Sequence, residues 1–431
     1  LTRTNKVRRG FISERYAALV DALYSGRTEQ YIGTWLEKSG KRDRIVLATK
    51  CGMGLPSGAL SAKNIKESVD ASLQRLNTTY VDCMMLHSIG HPRYGGLERI
   101  QKSLDQYLET KRMVFPRFYF VSDDDLLEIL GQSKDPVAVQ KHVKKCFEGI
   151  KTLKMNPPSG AIKTFEATTM NSPDGETAPF VDNVTIDGPV ELWLKEVERA
   201  MRRAISKLLS VSIQGFKGKK EKWVKDTIGQ LLITTGSIAW TTDCTKALMA
   251  ISAGTKGALK AQKKKQVSYL NKMTAVIRGP LSKVERNKVV ALITMEIHNR
   301  DVIERMVKAN CSSVSDFEWL SQLRFVYIKD TSEFGKCEVR QTNSVLEYSY
   351  EYQGNNGRLV VTPLTDRCVL TLITAMYLNR GGNPLGPAGT GKTETVKDLG
   401  KNLAKYVVVI NCSDGMDYKS VGRIFSGLVQ S

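Results

Sequence analysis

The chain contains no run of more than about five consecutive apolar residues. A bilayer-spanning helix needs ~20, so no membrane partner is expected. Its eight cysteines, at 51, 83, 146, 244, 311, 337, 368 and 412, include no C-x-x-C pair. The four histidines form no zinc pattern with them. That argues against a disulfide framework or a structural zinc fold and fits a reducing compartment. Acidic residues are the scarcer charge, 44 Asp and Glu against 64 Lys and Arg, giving +20. Two basic clusters carry much of the excess: Lys217, Lys219, Lys220, Lys222 and Lys225, then Lys256, Lys260, Lys263, Lys264 and Lys265. No nucleic-acid fold motif accompanies them and aromatics are only 7%. The clusters therefore read as solvated helix faces that could meet an acidic partner, and nucleic acid is not expected. The first ten residues are basic but no apolar segment follows, so no secretory signal is read. Position 1 is Leu, which reads as the start of a fragment. No fixed-period repeat occurs.

What is present is a 431-residue chain with 41% hydrophobic residues, enough for two or three globular domains. Its most specific stretch is Gly386, Pro387, Ala388, Gly389, Thr390, Gly391, Lys392 and Thr393, read GPAGTGKT. It meets every fixed position of the G-x-x-x-x-G-K-[ST] phosphate loop. The glycines let the backbone curl so that N–H groups face a phosphate chain. Lys392 is expected to reach the β- and γ-phosphates, and the Thr393 hydroxyl to ligate Mg²⁺. Val396, Leu399 and Leu403 then recur at helical spacing, so the loop opens onto a helix N-terminus, which favours anions. The β-branched run at 406–410 reads as a buried parallel strand. ATP and Mg²⁺ are the expected ligands.

Taken in order, 44–50 reads as a strand, 61–76 as a helix capped by Ser61, and 80–87 as a second strand. Together they form a βαβ unit. The register changes near 91–96. A helix is expected over 97–111, an aromatic strand over 115–121, a helix capped by Asp123, and a helix over 137–153. The Pro, Gly, Ser and Thr of 156–188 suggest hairpins. Long amphipathic patterns then predict helices at 190–209, 219–233, 241–252, 256–277 and 282–309.

Over about residues 15–92, "YSGRTEQYIGTWL", "RIVLATKCGM" and "SVDASLQRLNTTYVDCMMLH" resemble, in that order, the aldo-keto reductase family. That family is an NADPH-dependent (β/α)₈ barrel. The resemblance places Tyr24 as proton donor, Lys50 as the cation lowering its pKa, and His87 as the residue orienting the carbonyl. Asp21 stands closer to Tyr24 than the family's spacing. A closed barrel needs roughly 250 residues. These residues are therefore expected to be remnants without an assembled site, and NADPH is not expected to bind.

From about residue 95, "IQKSLDQYLETKRMVFPRFYFVSDDDLLEILG", "GPVELWLKEVERAMRR", "EKWVKDTIGQLLITTGSIAWTTDCTKAL", "LKAQKKKQVSYLNKM" and "FEWLSQLRFVY" resemble the linker of dynein heavy chains. "RLVVTPLTDRCVLTL" and "GPAGTGKTETVKDLGKNLAKYVVVINCSDGMDYKSVGRIFSGL" resemble the start of the first AAA+ module of that family, leaning toward axonemal members. The resemblance implies a mixed multi-domain chain. A partial (β/α) barrel fragment covers 1–92, a mostly α-helical linker 93–343, and the start of an α/β P-loop AAA+ module 344–431. It places Pro363 and Leu364 beside the adenine. It makes the linker a curved arm whose bending is the power stroke. The partners implied, through a full-length motor, are microtubules and dynein intermediate and light chains, and the location a cilium or flagellar axoneme. The sequence ends before the family's Walker B segment, so ATP binding without efficient hydrolysis is expected. Two other readings are an NADPH-dependent carbonyl reductase and a non-enzymatic fragment that binds acidic partners through its basic faces.

Overall fold

The computed structural model describes residues 95–430 apart from 160–163, 356 and 413–415; within the first 94 it describes only 34, 37, 48–51, 70, 71, 74 and 83–86. The chain divides into two compact units, 1–107 and 108–431. In the first unit, β1 (Ala48–Cys51) pairs in parallel with β2 (Cys83–Leu86), Ala48 opposite Cys83. Parallel strands need a crossover connection, as the βαβ reading requires. Among the described residues the expected barrel fragment amounts to these two strands. Ser61, Tyr24 and His87 lie outside the described residues.

Helix α1 (Gly95–Val114) stops where Phe115 meets Pro116, because a residue before proline is pushed out of the helical region. The next segment corrects an expectation. Residues 116–120 form a 3₁₀ helix, not a strand. Pro116 cannot donate to a sheet ladder. The apolar residues Phe115, Phe118 and Val121 recur every third position, which suits 3₁₀ geometry rather than alternation. The Phe115 and Phe118 rings meet edge to face at 5.0 Å. Helix α2 (Asp123–Gly131) is capped by Ser122, whose Oγ accepts from the Asp125 N–H at 3.3 Å. Asp123, the expected cap, is instead its first helical residue and pairs with Arg112 and Arg423.

Helix α3 (Pro136–Cys146) starts at the Asp135 cap and ends earlier than 153. The chain must turn at Gly149, where a Cβ would lie 2.0 Å from the Tyr352 carbonyl oxygen. It then enters β3 (Thr152–Asn156), which with β4 (Phe165–Asn171) and β5 (Thr177–Ile186) forms an antiparallel sheet in sequence order. These strands are the expected hairpins. Helix α4 (Val190–Gly215) buries Trp193, Val197, Met201, Ile205 and Leu209 along one face and lies on β5. Burial of such a stripe is what holds an amphipathic helix in place.

The helix expected at 219–233 is split into α5 (Lys220–Asp226) and the start of α6 (Gly229–Ser252). A buried pair organises the break. Glu176 Oε1 accepts from the Gly229 N–H at 2.8 Å and lies 2.9 Å from Lys288 Nζ, which also donates to the Thr227 carbonyl at 3.1 Å. Helix α6 runs through position 241 without interruption and is buried on nearly all sides over its first half. Helices α7 (Ala258–Arg278) and α8 (Lys283–Lys308) pack against it and each other, α8 opening on a Ser282–Glu285 capping box. Short α9 (Phe317–Leu320) precedes a second antiparallel sheet, β6 (Arg324–Ile328), β7 (Lys336–Gln341) and β8 (Ser344–Glu347). That sheet was not anticipated, although Cys337, Val339 and Gln341 alternate inward along β7.

Helices α10 (Pro363–Tyr377), α11 (Lys392–Leu403) and α12 (Tyr418–Gln430) complete the described chain. Residues 406–410 are not a strand. They have no ladder partner among the described residues, and Val409 and Ile410 are 45% and 40% exposed. An extended apolar run becomes a buried strand only when neighbouring strands and covering helices surround it. The described second unit is therefore mostly helical with two small antiparallel sheets, and the phosphate-loop segment carries no parallel sheet among the described residues.

Candidate functional site

Local sequence dictates the loop. Gly389 and Gly391 have φ of +77° and +80°, a region costly for residues with a Cβ. Gly391 is also the residue from which α11 starts. At Gly386 the demand is steric, since a Cβ would sit 3.3 Å from Thr390 Oγ1. Thr390 Oγ1 donates to the Pro387 carbonyl at 2.9 Å and tightens the turn. Lys392 arches back across the loop, its Nζ donating to the carbonyls of Gly386 at 2.8 Å and Pro387 at 2.6 Å. Residues 386–391 and Thr393 are exposed, and Ala388 sits at the loop tip region with them. Leu399 and Leu403 bury the far side of α11, so its N-terminal end faces outward.

The result is a cationic, N–H-rich turn with no acidic residue between 386 and 393. A helix N-terminus and a curled glycine backbone both favour an anion. These residues fit a phosphate chain, and the Thr393 hydroxyl, beside Lys392 on the first turn of α11, fits a Mg²⁺ ligand.

Pro363 is the first residue of α10, after a Thr362–Thr365 capping box, and Leu364 is 77% exposed. Leu359, Val360, Val361, Thr365 and Asp366 line a cleft shared with Thr395 and Asp398 of α11. Of the segment expected beside the adenine, Thr365 and Asp366 reach this cleft, whereas Pro363 and Leu364 do not line it. His298 of α8 lines the same cleft. Burial holds its pKa down, against the opposing pull of Asp366.

Two clamps escaped sequence reasoning. Arg358 grips α11 through Asp398 (2.8 and 2.9 Å) and Asn402 (2.6 Å), which fixes the 357–362 segment to that helix. Arg117 grips Glu351 with both nitrogens, at 2.7 and 2.6 Å, between the rings of Phe147 and Tyr406. Burial by itself would lower the Arg117 pKa; the Glu351 carboxylate more than offsets this and the net direction is upward. Glu351 also donates its backbone N–H to the Ala404 carbonyl at 2.9 Å, tying the end of α11 to the helical core. The partners lie 40 and 234 residues apart in sequence, so no local pattern announces them. Of the reductase-like residues, Lys50 lies in β1 and the others fall outside the described residues.

Comparison with known proteins matches three stretches. Residues 91–212 match the family model "Dynein heavy chain, N-terminal region 2". Residues 348–431 match "Hydrolytic ATP binding site of dynein motor region". Residues 18–131 match the aldo/keto reductase family. The chain is 60% identical over 336 residues to the dynein-1-beta heavy chain of the flagellar inner arm I1 complex of Chlamydomonas reinhardtii, covering 78% of this chain and 7% of that protein. It is 50% identical over 401 residues to human dynein axonemal heavy chain 2, covering 90% of this chain and 9% of that protein. It is 44% identical over 359 residues to mouse dynein axonemal heavy chain 1, covering 83% of this chain and 8% of that protein. The chain thus spans less than a tenth of the length of these relatives. With a linker-type match over α1–α4 and an ATP-site match over the phosphate loop, this chain carries a segment of the dynein heavy-chain family, running from the N-terminal region 2 into the start of the motor's ATP-binding region.

Proposed function

We propose that this chain is the linker and the opening of the first ATP-binding module of an axonemal dynein heavy chain, working in microtubule-based movement of a cilium or flagellum. The observation that carries the reading is the loop 386–393. Two left-handed glycines and a back-folded lysine sit at the start of α11, the helix whose Thr395 and Asp398 line a cleft with Leu359, Val360, Val361, Thr365 and Asp366. In this reading the loop N–H groups and Lys392 hold the phosphates. Thr393 would hold Mg²⁺ through its hydroxyl, and the ion would supply neutralisation of phosphate charge. Pro363 and Leu364 lie at the adenine end. Arg358, through Asp398, keeps the two ends of the site in register. Residues 93–343 act as the linker arm and 344–431 as the nucleotide-binding segment, with Arg117–Glu351 as the joint between them. Microtubules and the intermediate and light chains are partners of the whole motor.

The test is titration of the chain with Mg-ATP by calorimetry. Lys392→Ala should weaken binding more than about tenfold, equal to about 1.4 kcal/mol. Equal affinity in the two proteins would sink the assignment.

A further inference from the structure

Outside the nucleotide site, one side-chain cluster has the donor set of a metal centre. Asp125 and Glu128 stand three residues apart on α2 and so share a face. His142 of α3 meets them there, and one ligating atom from each of the three lies within 4.8 Å of the others. The histidine is the informative member. It is 4% exposed, and neither ring nitrogen has a hydrogen-bond partner. A buried imidazole without partners is costly. Its Nε2 lies 3.4 Å from Glu128 Oε1, close but not aligned as a hydrogen bond. Glu128 Oε1 also accepts a long 3.4 Å bond from the exposed Gln132 amide, which an ion would displace. With metal–ligand bonds of about 2.1 Å in a tetrahedral shell, adjacent ligand atoms sit roughly 3.4 Å apart.

We propose that Asp125, Glu128 and His142 bind a divalent transition-metal ion of the Zn²⁺ or Co²⁺ class, which staples α2 to α3. One imidazole nitrogen with two carboxylates favours such borderline ions over Mg²⁺ or Ca²⁺, which prefer all-oxygen sites. Two carboxylates balance the ion's charge, and the remaining coordination positions are left for water. A resident cation already marks the site as electronegative: Lys145 Nζ lies 2.6 Å from Asp125 Oδ1. Its side chain is 42% exposed and can swing into solvent when an ion takes its place.

The test uses the full chain, stripped with chelator and titrated with Co²⁺ in the absence of nucleotide, read by visible absorption. One equivalent of Co²⁺ is expected to bind and to be displaced by Zn²⁺. Glu128→Gln, at a surface position that does not threaten folding, should weaken binding more than about tenfold. Lys145→Met, which removes the competing ammonium, should strengthen it several-fold. No bound Co²⁺, or an affinity unchanged in either variant, overturns the proposal.

Discussion

Glu296→Gln should stabilise the helical region, and should do so only at neutral and alkaline pH. Glu296 lies on α8 and is 2% exposed. Its Oε2 accepts from Gln266 Nε2 and, at 3.3 Å, from Asn299 Nδ2. Burial pushes its carboxyl up to about 7 from 4.5, and the two amide donors with the more distant Lys220 only partly oppose this. In the unfolded chain the same group titrates near its ordinary value. Below 4.5 both states hold the proton and the group costs nothing. Between 4.5 and about 7 the unfolded chain sheds a proton that the folded chain keeps, so folding stability falls as pH rises. Above 7 the full penalty stands, about 3 kcal/mol by the conversion of 1.36 kcal/mol per pKa unit. Glutamine mimics the protonated acid and keeps the acceptor for Gln266 and Asn299. The variant should therefore match the parent near pH 4.5 and exceed it by about 3 kcal/mol at pH 8, or about 5 °C in melting midpoint for a unit of this size. Tryptophan fluorescence reports the transition, since Trp193, Trp223, Trp240 and Trp319 are all buried in this unit. Equal midpoints at pH 8, or the same gain at pH 5 and pH 8, would refute the reasoning.

Three further outcomes are expected. Arg117→Met should destabilise the chain by about 3–5 kcal/mol, because it leaves the Glu351 carboxylate buried and unpaired. Arg117→Met with Glu351→Met should lose much less; additive losses in denaturant titration would contradict the pairing. Gly149→Ala should cost several kcal/mol, since its Cβ would collide with backbone at Tyr352 rather than with a movable side chain; a wild-type melting curve would count against that packing. Lys392→Ala should lower any steady Mg-ATP turnover by this chain at least about tenfold, because holding the phosphates in place is what the loop is proposed to supply. Unchanged turnover in the variant would contradict it.

The long helices and the phosphate loop were legible because their causes are local. Helix α4 declares itself through an apolar stripe within its own 190–215 span. The loop declares itself through glycines whose backbone angles no other residue adopts cheaply, followed at once by a helix. The hairpins of 165–186 were legible for the same reason, turn residues between short strands. Expectations failed where a distant partner decided. Residues 406–410 have the composition of a buried strand, yet among the described residues they lack the neighbours that make one. The helix expected at 219–233 breaks because Glu176, far upstream, takes the Gly229 N–H. Residues 115–121 are aromatic enough for a strand, but Pro116 and a three-residue spacing against the core select a 3₁₀ turn.

The same division holds for the site. The residues proposed to hold a phosphate were named from spacing alone, since a Walker loop is a contiguous device. That Leu359, Thr365 and Asp366 lie beside α11, that Arg358 fastens them there, and that His142 meets Asp125 and Glu128 across two helices depended on the folded chain. Contacts between residues tens to hundreds of positions apart leave no period or motif in a single sequence. Only packing brings such residues together, and burial then sets how strongly they interact.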